Sequence, residues 1–479
     1  MVKAYLTLAM IASLFGIFQT MQIGGFGMSP LETSFVLFWL YLPLHLFVAR
    51  KPLRLPVNVE SIMLTLFTVW FVFSMISPVL SGSLVTITQT LKTTLHFLFV
   101  VGIMYVYGTV RFTPALVNQL MRLFLSLGTV VCIYGIYQVP ARIFDLPLAW
   151  IDITNVSFQE DLEFASGMAQ LALKFENFYR ATSIFSEPSA LAFYASLLLV
   201  SALVPLIRGS KHFLRSRWSI SLSIITSFLA LFLAFSMTGV LVIMGSLLYI
   251  VVRYRRKLMR KILPYFAYGA ITLVVVDSTV DSFFDVSVLN MFSVRIESYV
   301  SGAAFNEDVG SIVGESATQR MGDAAVATEI WKDYPFVGVG PGCLRHERLA
   351  QLNQVRFVSS GFFTVLSENG AIGLILFLGV LLTFLIVPTV LEGRWTAQGL
   401  GELEPESDAI VGVVPPLVVA FILMNVSGNS VVNAFYWFNF LPIIAGIQIA
   451  RRRLGLYEEI ELFMWRGTER KGGETHVTT

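Results

Sequence analysis

Four stretches bring ionisable residues to the edges of apolar runs. In YRATSIFSEPSALAFY (179–194), Arg180 and Glu187 stand just before a long apolar segment. In SATQRMGDAAVATEIWKDYPFVGVGPG (316–342), Ser316 is placed to cap a helix that Pro335 stops, and Arg320 projects from its first turn. CLRHERLAQLNQ (343–354) follows with Arg345, His346 and Arg348, and FFTVLSENGAIGLILFLG (362–379) sets Glu368 before Asn369-Gly370. Arg295, Arg356 and Ser359 complete the candidates in the same part of the chain.

Arginine keeps its charge at any depth and matches phosphate oxygens with a fixed fork of donors. Arginines gathered at membrane boundaries therefore suit a lipid-linked phosphate or diphosphate whose headgroup lies at the surface. A diphosphate leaving group needs its developing charge met. The sequence has no DxD, HExxH or Walker loop, so those arginines become the candidates for that task, with no metal and no cofactor expected. GVGPG (338–342) is a tight turn rather than a nucleotide fingerprint, and the acidic QEDLE (159–163) reads as a solvated turn. Plainer readings stay open at each position. Ser-Glu-Pro also makes a helix cap and Arg180 a snorkelling anchor. The Arg345, His346 and Arg348 trio also makes an interfacial helix touching headgroups, and Glu368 also marks a helix break satisfied by its neighbours.

The elements that must position these residues are apolar helices. Of 479 residues, 56% are hydrophobic and only 13% charged, with a mean hydropathy of +0.74. That composition predicts an all-α polytopic membrane protein. With about 20 apolar residues per crossing, about twelve spans are expected, near 4–21, 33–49, 60–80, 88–108, 118–139, 188–207, 218–235, 240–253, 263–279, 370–391, 409–427 and 431–450. The first run has no small-residue cleavage site after it and reads as a retained anchor. A net charge of +2 and the lack of a long basic run argue against nucleic acid as a partner. Cys132 and Cys343 are too differently placed to suggest a disulfide or a zinc site.

Lysine and arginine collect after the even-numbered spans, as in RYRRKLMRK (253–261) and RRR (451–453). The positive-inside rule then puts both termini in the cytoplasm and two long, mainly helical segments on the opposite face. The expected organisation is spans one to five over 1–139, a first large loop over 140–187 and spans six to nine over 188–279. A second large loop over 280–360, spans ten to twelve over 361–450 and a cytoplasmic tail over 451–479 complete it. Long ordered loops in a compact protein are usually functional.

The run from Arg320 through GDAAVATEIWKDYPFVGVGPG to LSENGAIGLILFLG resembles the core of the bacterial O-antigen ligase and polymerase (Wzy-type) superfamily, membrane glycosyltransferases of the GT-C class. The likeness is strongest over 316–380. It implies a donor saccharide on undecaprenyl diphosphate, lipid bilayer surroundings and metal-independent, inverting transfer at the outer (periplasmic) face of the bacterial inner membrane. A chain-length regulator is a further candidate partner. By position, Arg180 matches the arginine before span six, and Arg320 the one that opens the helix before the Pro-x-x-Gly-x-Gly turn. Ligases of the family carry a His-Asn pair about nine residues before the glutamate of the E-x-G motif, where this chain has Ser359 and Ser360. That departure, with Ser-Glu-Pro-Ser at 186–189, favours a polymerase destined for O-antigen, capsule or exopolysaccharide. On this reading Glu187 is the base toward the acceptor hydroxyl, or the residue that orients it, with His346 as the runner-up. Arg180 and Arg320 serve the diphosphate, while Arg295, Arg345, Arg348, Arg356, Ser359 and Glu368 bind substrate.

A ligase passing the glycan to a lipid or protein acceptor is the alternative within chemistry. A transporter or flippase is the rival from another class, kept alive by the intramembrane Lys92 and His96. Ionisable residues otherwise gather in the loops, and no internal repeat is visible, which favours surface chemistry over passage.

Overall fold

The computed structural model describes residues 2–23, 26–49, 53–155, 170, 174–175, 178–284, 287, 289–290, 293, 317–347, 358, 360–428 and 431–463. Helices α1 (Val2–Ala12), α2 (Pro30–Ala49), α3 (Val59–Phe73), α4 (Ile76–Ser81), α5 (Leu84–Thr109) and α6 (Pro114–Ile143) precede the first long segment. After it come α7 (Pro188–Arg208), α8 (Arg217–Leu233) and α9 (Met237–Phe284), and α10 (Ala317–Asp333) lies in the second. The chain closes with α11 (Gly361–Ala397), α12 (Leu400–Leu403), α13 (Pro405–Ser427), α14 (Ala434–Phe438) and α15 (Leu441–Arg453). Three two-stranded antiparallel ribbons are the sheet structure among the described residues. One of them ties Leu53–Pro56 to Glu459–Phe463.

The all-α, multi-pass expectation holds, and exactly twelve spans are not shown among the described residues. Seven described helical stretches are long and apolar enough to cross a membrane: Val59–Ser81, Leu84–Thr109, Pro114–Ile143, Pro188–Arg208, Met237–Tyr254, Gly361–Ala397 and Pro405–Ser427. Several of the other expected spans depart from the pattern for local reasons. Arg217–Leu233 is apolar but short. The expected last span is two pieces, α14 and α15, since Pro442 has no N–H to carry a helix through Phe438–Leu441. The expected gap between spans eight and nine is helical. α9 runs through it, with non-helical backbone at Tyr254 (φ −114°, ψ 16°). Span ten begins earlier than its hydropathy suggests, because α11 starts at Gly361 and bends at Gly370.

Caps fix where the helices start. Asn58 accepts from the Ser61 N–H, Thr113 from the Leu116 N–H, and Asn433 from the Phe435 N–H. Ser29 and Glu32 form a reciprocal capping box before α2: the Ser29 N–H donates to Glu32 Oε2 (2.8 Å) and the Glu32 N–H to Ser29 Oγ (3.3 Å). α7 is apolar on nearly every side and nearly every side chain along it is buried, so it is the central helix.

Successive helices run back and forth, which gives the bundle two ends. At one end Arg208 pairs with Glu392 and Asp408, and Arg253 Nε meets Glu392 Oε2 at 3.0 Å. Tyr254 OH donates to Glu392 Oε1 at 2.7 Å, so one buried network locks α7, α9, α11 and α13 together. Arg451 reaches Glu60 at 2.7 Å at the same end. The opposite end holds the amino termini of α2, α7 and α11, and the residues of interest collect there. Segment 317–347 packs onto it through its own small core, which includes Ala327, Ile330, Val339 and Leu344.

Candidate functional site

The site is built on a broken helix. In α11, Gly370 has φ 71° and ψ −175°, a conformation essentially confined to glycine. The break frees the carbonyls of Ser367, Glu368 and Asn369, and inside a bilayer protein each needs an internal partner. The GVGPG turn supplies two: Val339 N–H donates to Ser367 O (2.9 Å) and Gly340 N–H to Glu368 O (3.0 Å). Trp70 Nε1 from α3 donates to Asn369 O at 2.9 Å. In return, the Ala371 N–H donates to Pro335 O at 2.9 Å. Gly338, Gly340 and Gly342 all have positive φ. A Cβ on Gly338 would strike the Glu368 carbonyl, and one on Gly370 would strike that of Phe336. GVGPG and SENG are thus two halves of one joint.

That joint turns Glu368 and Asn369 inward. Glu368 is buried, and the backbone of Gly342 and Leu344 hydrogen-bonds its carboxylate. Asn369 is 1% exposed, and neither Oδ1 nor Nδ2 has a partner among the described residues. Burial pushes the neighbouring Cys343 thiol up to about 12, so it stays protonated and structural.

Glu187 comes from the other long segment. It occupies the N-cap of α7 with extended backbone (φ −142°, ψ 156°), and Pro188 takes the first helical position. Its carboxylate makes no capping bond to the helix backbone, and Oε1 accepts from Ser189 Oγ at 2.5 Å. The segment leading to it is strapped down by Arg142, at the end of α6. Arg142 Nη1 donates to Arg180 O (2.5 Å) and Nη2 to Gln170 Oε1 (2.8 Å) and Thr182 Oγ1 (2.6 Å). Gln138 Nε2 and Gln170 Nε2 both donate to Ser183 O, at 3.0 and 2.6 Å. Arg180 is buried, its Nε donating to Ala234 O (3.0 Å) in the α8–α9 turn.

The two constructions meet at a cavity of about 450 Å³. Its ionisable lining includes Glu32, Lys92, His96, Glu187, Arg345, Glu368 and Tyr436, and Asn369 lines it as well. Two carboxylates from distant parts of the chain therefore share one space with an arginine and a lysine. A third, Glu32, holds its capping box with Oε2 and meets His96 Nε2 at 2.7 Å with Oε1. Such a site can accept a proton, meet a polyanion and hydrogen-bond a neutral ligand group.

Of the candidates from sequence, Glu187, Arg345 and Glu368 are brought together. Arg180 and His346 are described but are not among the lining residues of the cavity. Arg180 lies instead among the groups that hold the segment leading to SEP, and His346 sits in the turn after Gly342, its N–H on Cys343 O. Arg320 lies in the first turn of α10, and its side chain is outside the described residues. Arg295, Arg348, Arg356 and Ser359, like QEDLE, also lie outside them. Sequence reasoning missed Glu32, Asn369 and Arg142, and it gave Lys92 and His96 only a transporter's role. A signal was present: Gln89, Lys92 and His96 recur at helical spacing in an apolar span, and all three line the cavity.

Residues 222–378 match the family model described as O-antigen ligase. The match covers part of the chain and supports its likeness to the O-antigen ligase and polymerase superfamily. The O-antigen ligase match takes in α10, the GVGPG turn and the broken part of α11, and so includes Arg345, Glu368 and Asn369. Glu187 and the Glu32, Lys92 and His96 group lie before it. No curated protein matches the chain. Together with the apolar helices, the match supports a multi-pass membrane enzyme of O-antigen ligase/polymerase type.

Proposed function

We propose that the protein is a GT-C class polymerase of polyprenyl-diphosphate-linked oligosaccharide repeats, acting at the outer face of a bacterial inner membrane with both termini in the cytoplasm. The growing glycan moves from undecaprenyl diphosphate to a sugar hydroxyl of the next lipid-linked unit. The observation that carries the reading is the meeting of Glu187 with Arg345 and Lys92 in one cavity beside the broken helix.

In the proposed step, Glu187 takes the proton of the acceptor hydroxyl. The freed oxygen attacks the anomeric carbon of the donor sugar from the face opposite its diphosphate, and a new glycosidic bond forms with inversion. The bond from that carbon to the diphosphate oxygen breaks, and the diphosphate leaves with the electron pair. Arg345 and Lys92 meet its charge, with Arg320 as a further cation from α10. Glu368, held by backbone N–H groups, fixes the GVGPG turn and with it Arg345. Asn369 offers a donor and an acceptor to sugar hydroxyls. Arg180 and Arg142 position the segment that carries Glu187.

Purified protein given a synthetic diphosphate-linked repeat should build a ladder of lengths on the lipid carrier without any ion gradient. Glu187→Gln should insert and fold normally yet lose about two to four orders of magnitude in rate, the usual contribution of a general base. A mutant that polymerises at the wild-type rate would reduce Glu187 to a helix start. Single transfer to a foreign acceptor, with no ladder, would favour the ligase alternative.

A further inference from the structure

A second cavity, of about 320 Å³, lies at the opposite end of the bundle, between the start of α3, the end of α5 and α15. It is apolar over most of its wall, with Leu64, Met104, Phe384, Ile444 and Ile447. Two of its polar residues are buried. Glu60 and Gln448 both line it, each is 4% exposed, and Glu60 Oε1 and Gln448 Oε1 have no hydrogen-bond partner among the described residues. Neither orientation is arbitrary. Glu60 Oε2 is taken by Arg451 Nη2 at 2.7 Å, which leaves Oε1 over. Gln448 Nε2 donates to the carbonyls of Tyr107 (3.3 Å) and Gly108 (3.1 Å), so the amide oxygen must be the free end.

A buried acceptor without a donor is costly, and more so on a carboxylate. Two of them at one apolar cavity call for a ligand that brings hydrogen-bond donors, preferably cationic ones, on an apolar body. The surroundings supply such bodies. Ile62 and Leu66, on the same stretch of α3, are 48% and 45% exposed on an apolar helix of a membrane protein, so lipid chains can reach the rim. The amino end of α3 borders the cavity at Asn58 and Ser61 and suits an anionic group beside the cation.

We propose that this cavity binds a membrane phospholipid with a primary ammonium headgroup. The ammonium donates to Glu60 Oε1 and Gln448 Oε1, the phosphate lies toward the start of α3, and the chains pass out over Ile62 and Leu66. The site is remote from the reaction cavity and does not depend on the function proposed for it.

The test is competitive lipid retention on the delipidated, full-length protein, read by native mass spectrometry. The probes are phosphatidylethanolamine and phosphatidylcholine with identical chains, since the trimethylated headgroup cannot donate. The expected result is a preference of about tenfold for the ethanolamine lipid, the scale of one or two charge-assisted hydrogen bonds. Glu60→Gln should erase most of it. Ile444→Phe, which narrows the cavity without touching the Glu60–Arg451 pair, should reduce retention and keeps the test valid if the first variant fails to fold. Equal retention of the two lipids by the wild type would overturn the proposal, leaving a water-filled crevice. So would a preference that survives both variants.

Discussion

Asn369 is a buried amide with both polar atoms unpartnered among the described residues, and that makes its role separable from its contribution to folding. Replacing an unsatisfied buried polar group by an apolar one of similar shape is close to neutral or stabilising. Asn369→Leu should therefore leave the thermal midpoint within the equivalent of about 1 kcal/mol of wild type, while transfer activity drops at least tenfold and KM rises. Parallel losses in stability and activity would mean that the amide serves the fold. Arg345→Met and Lys92→Met address the charge. Each removes a cation from a low-dielectric cavity and should weaken binding of free undecaprenyl diphosphate by about one order of magnitude or more. Tight binding retained in the double variant would place the anion site elsewhere. Glu187, Arg345 and Glu368 were legible in the sequence because charge at the edge of an apolar run is conspicuous. Asn369 was not, since an asparagine before glycine reads as a turn residue and only burial reveals that its amide is unpaired.

The joint between GVGPG and SENG decides whether the reaction cavity exists. Gly370→Ala places a Cβ against the Phe336 carbonyl and forces an alanine into a glycine-only region. It should cost at least about 1–3 kcal/mol and undock the turn from α11, seen as faster proteolysis within 334–347 along with lost activity. Normal stability in that variant would contradict the interlocked geometry. Sequence reading found the turn, the Pro335 stop and the Glu368 break as separate features. It could not show them as a pair, because the bonds that join them run from backbone to backbone and leave no trace in side-chain type. The same limit hid Arg142. An arginine near the end of an apolar span reads as an interfacial anchor, and its four acceptors come from residues 149–182, which only the fold brings near.

Across the whole molecule, charge is divided between the ends of the bundle for different purposes. At the basic end Arg208 is consumed by Glu392 and Asp408, and removing one member of a buried ionic network typically costs about 3–5 kcal/mol. Arg208→Ala should lower the thermal midpoint markedly. In whatever folded fraction remains, diphosphate affinity should be unchanged, since the cavity lies at the far end. Composition was enough to predict a helical membrane protein, and the lysine and arginine pattern to predict that these groups share one end. The span count was not readable, because hydropathy neither registers that Pro442 splits the last segment nor that α9 continues through a basic run. The most direct test of the central claim is photo-crosslinking with an undecaprenyl-diphosphate sugar that carries a diazirine on its first residue. Adducts should fall on peptides containing 184–190, 342–345 and 368–369 together, and free undecaprenyl diphosphate should compete them away. Adducts confined to only one of these segments, or to the basic end, would mean that the two halves of the site do not meet around the substrate.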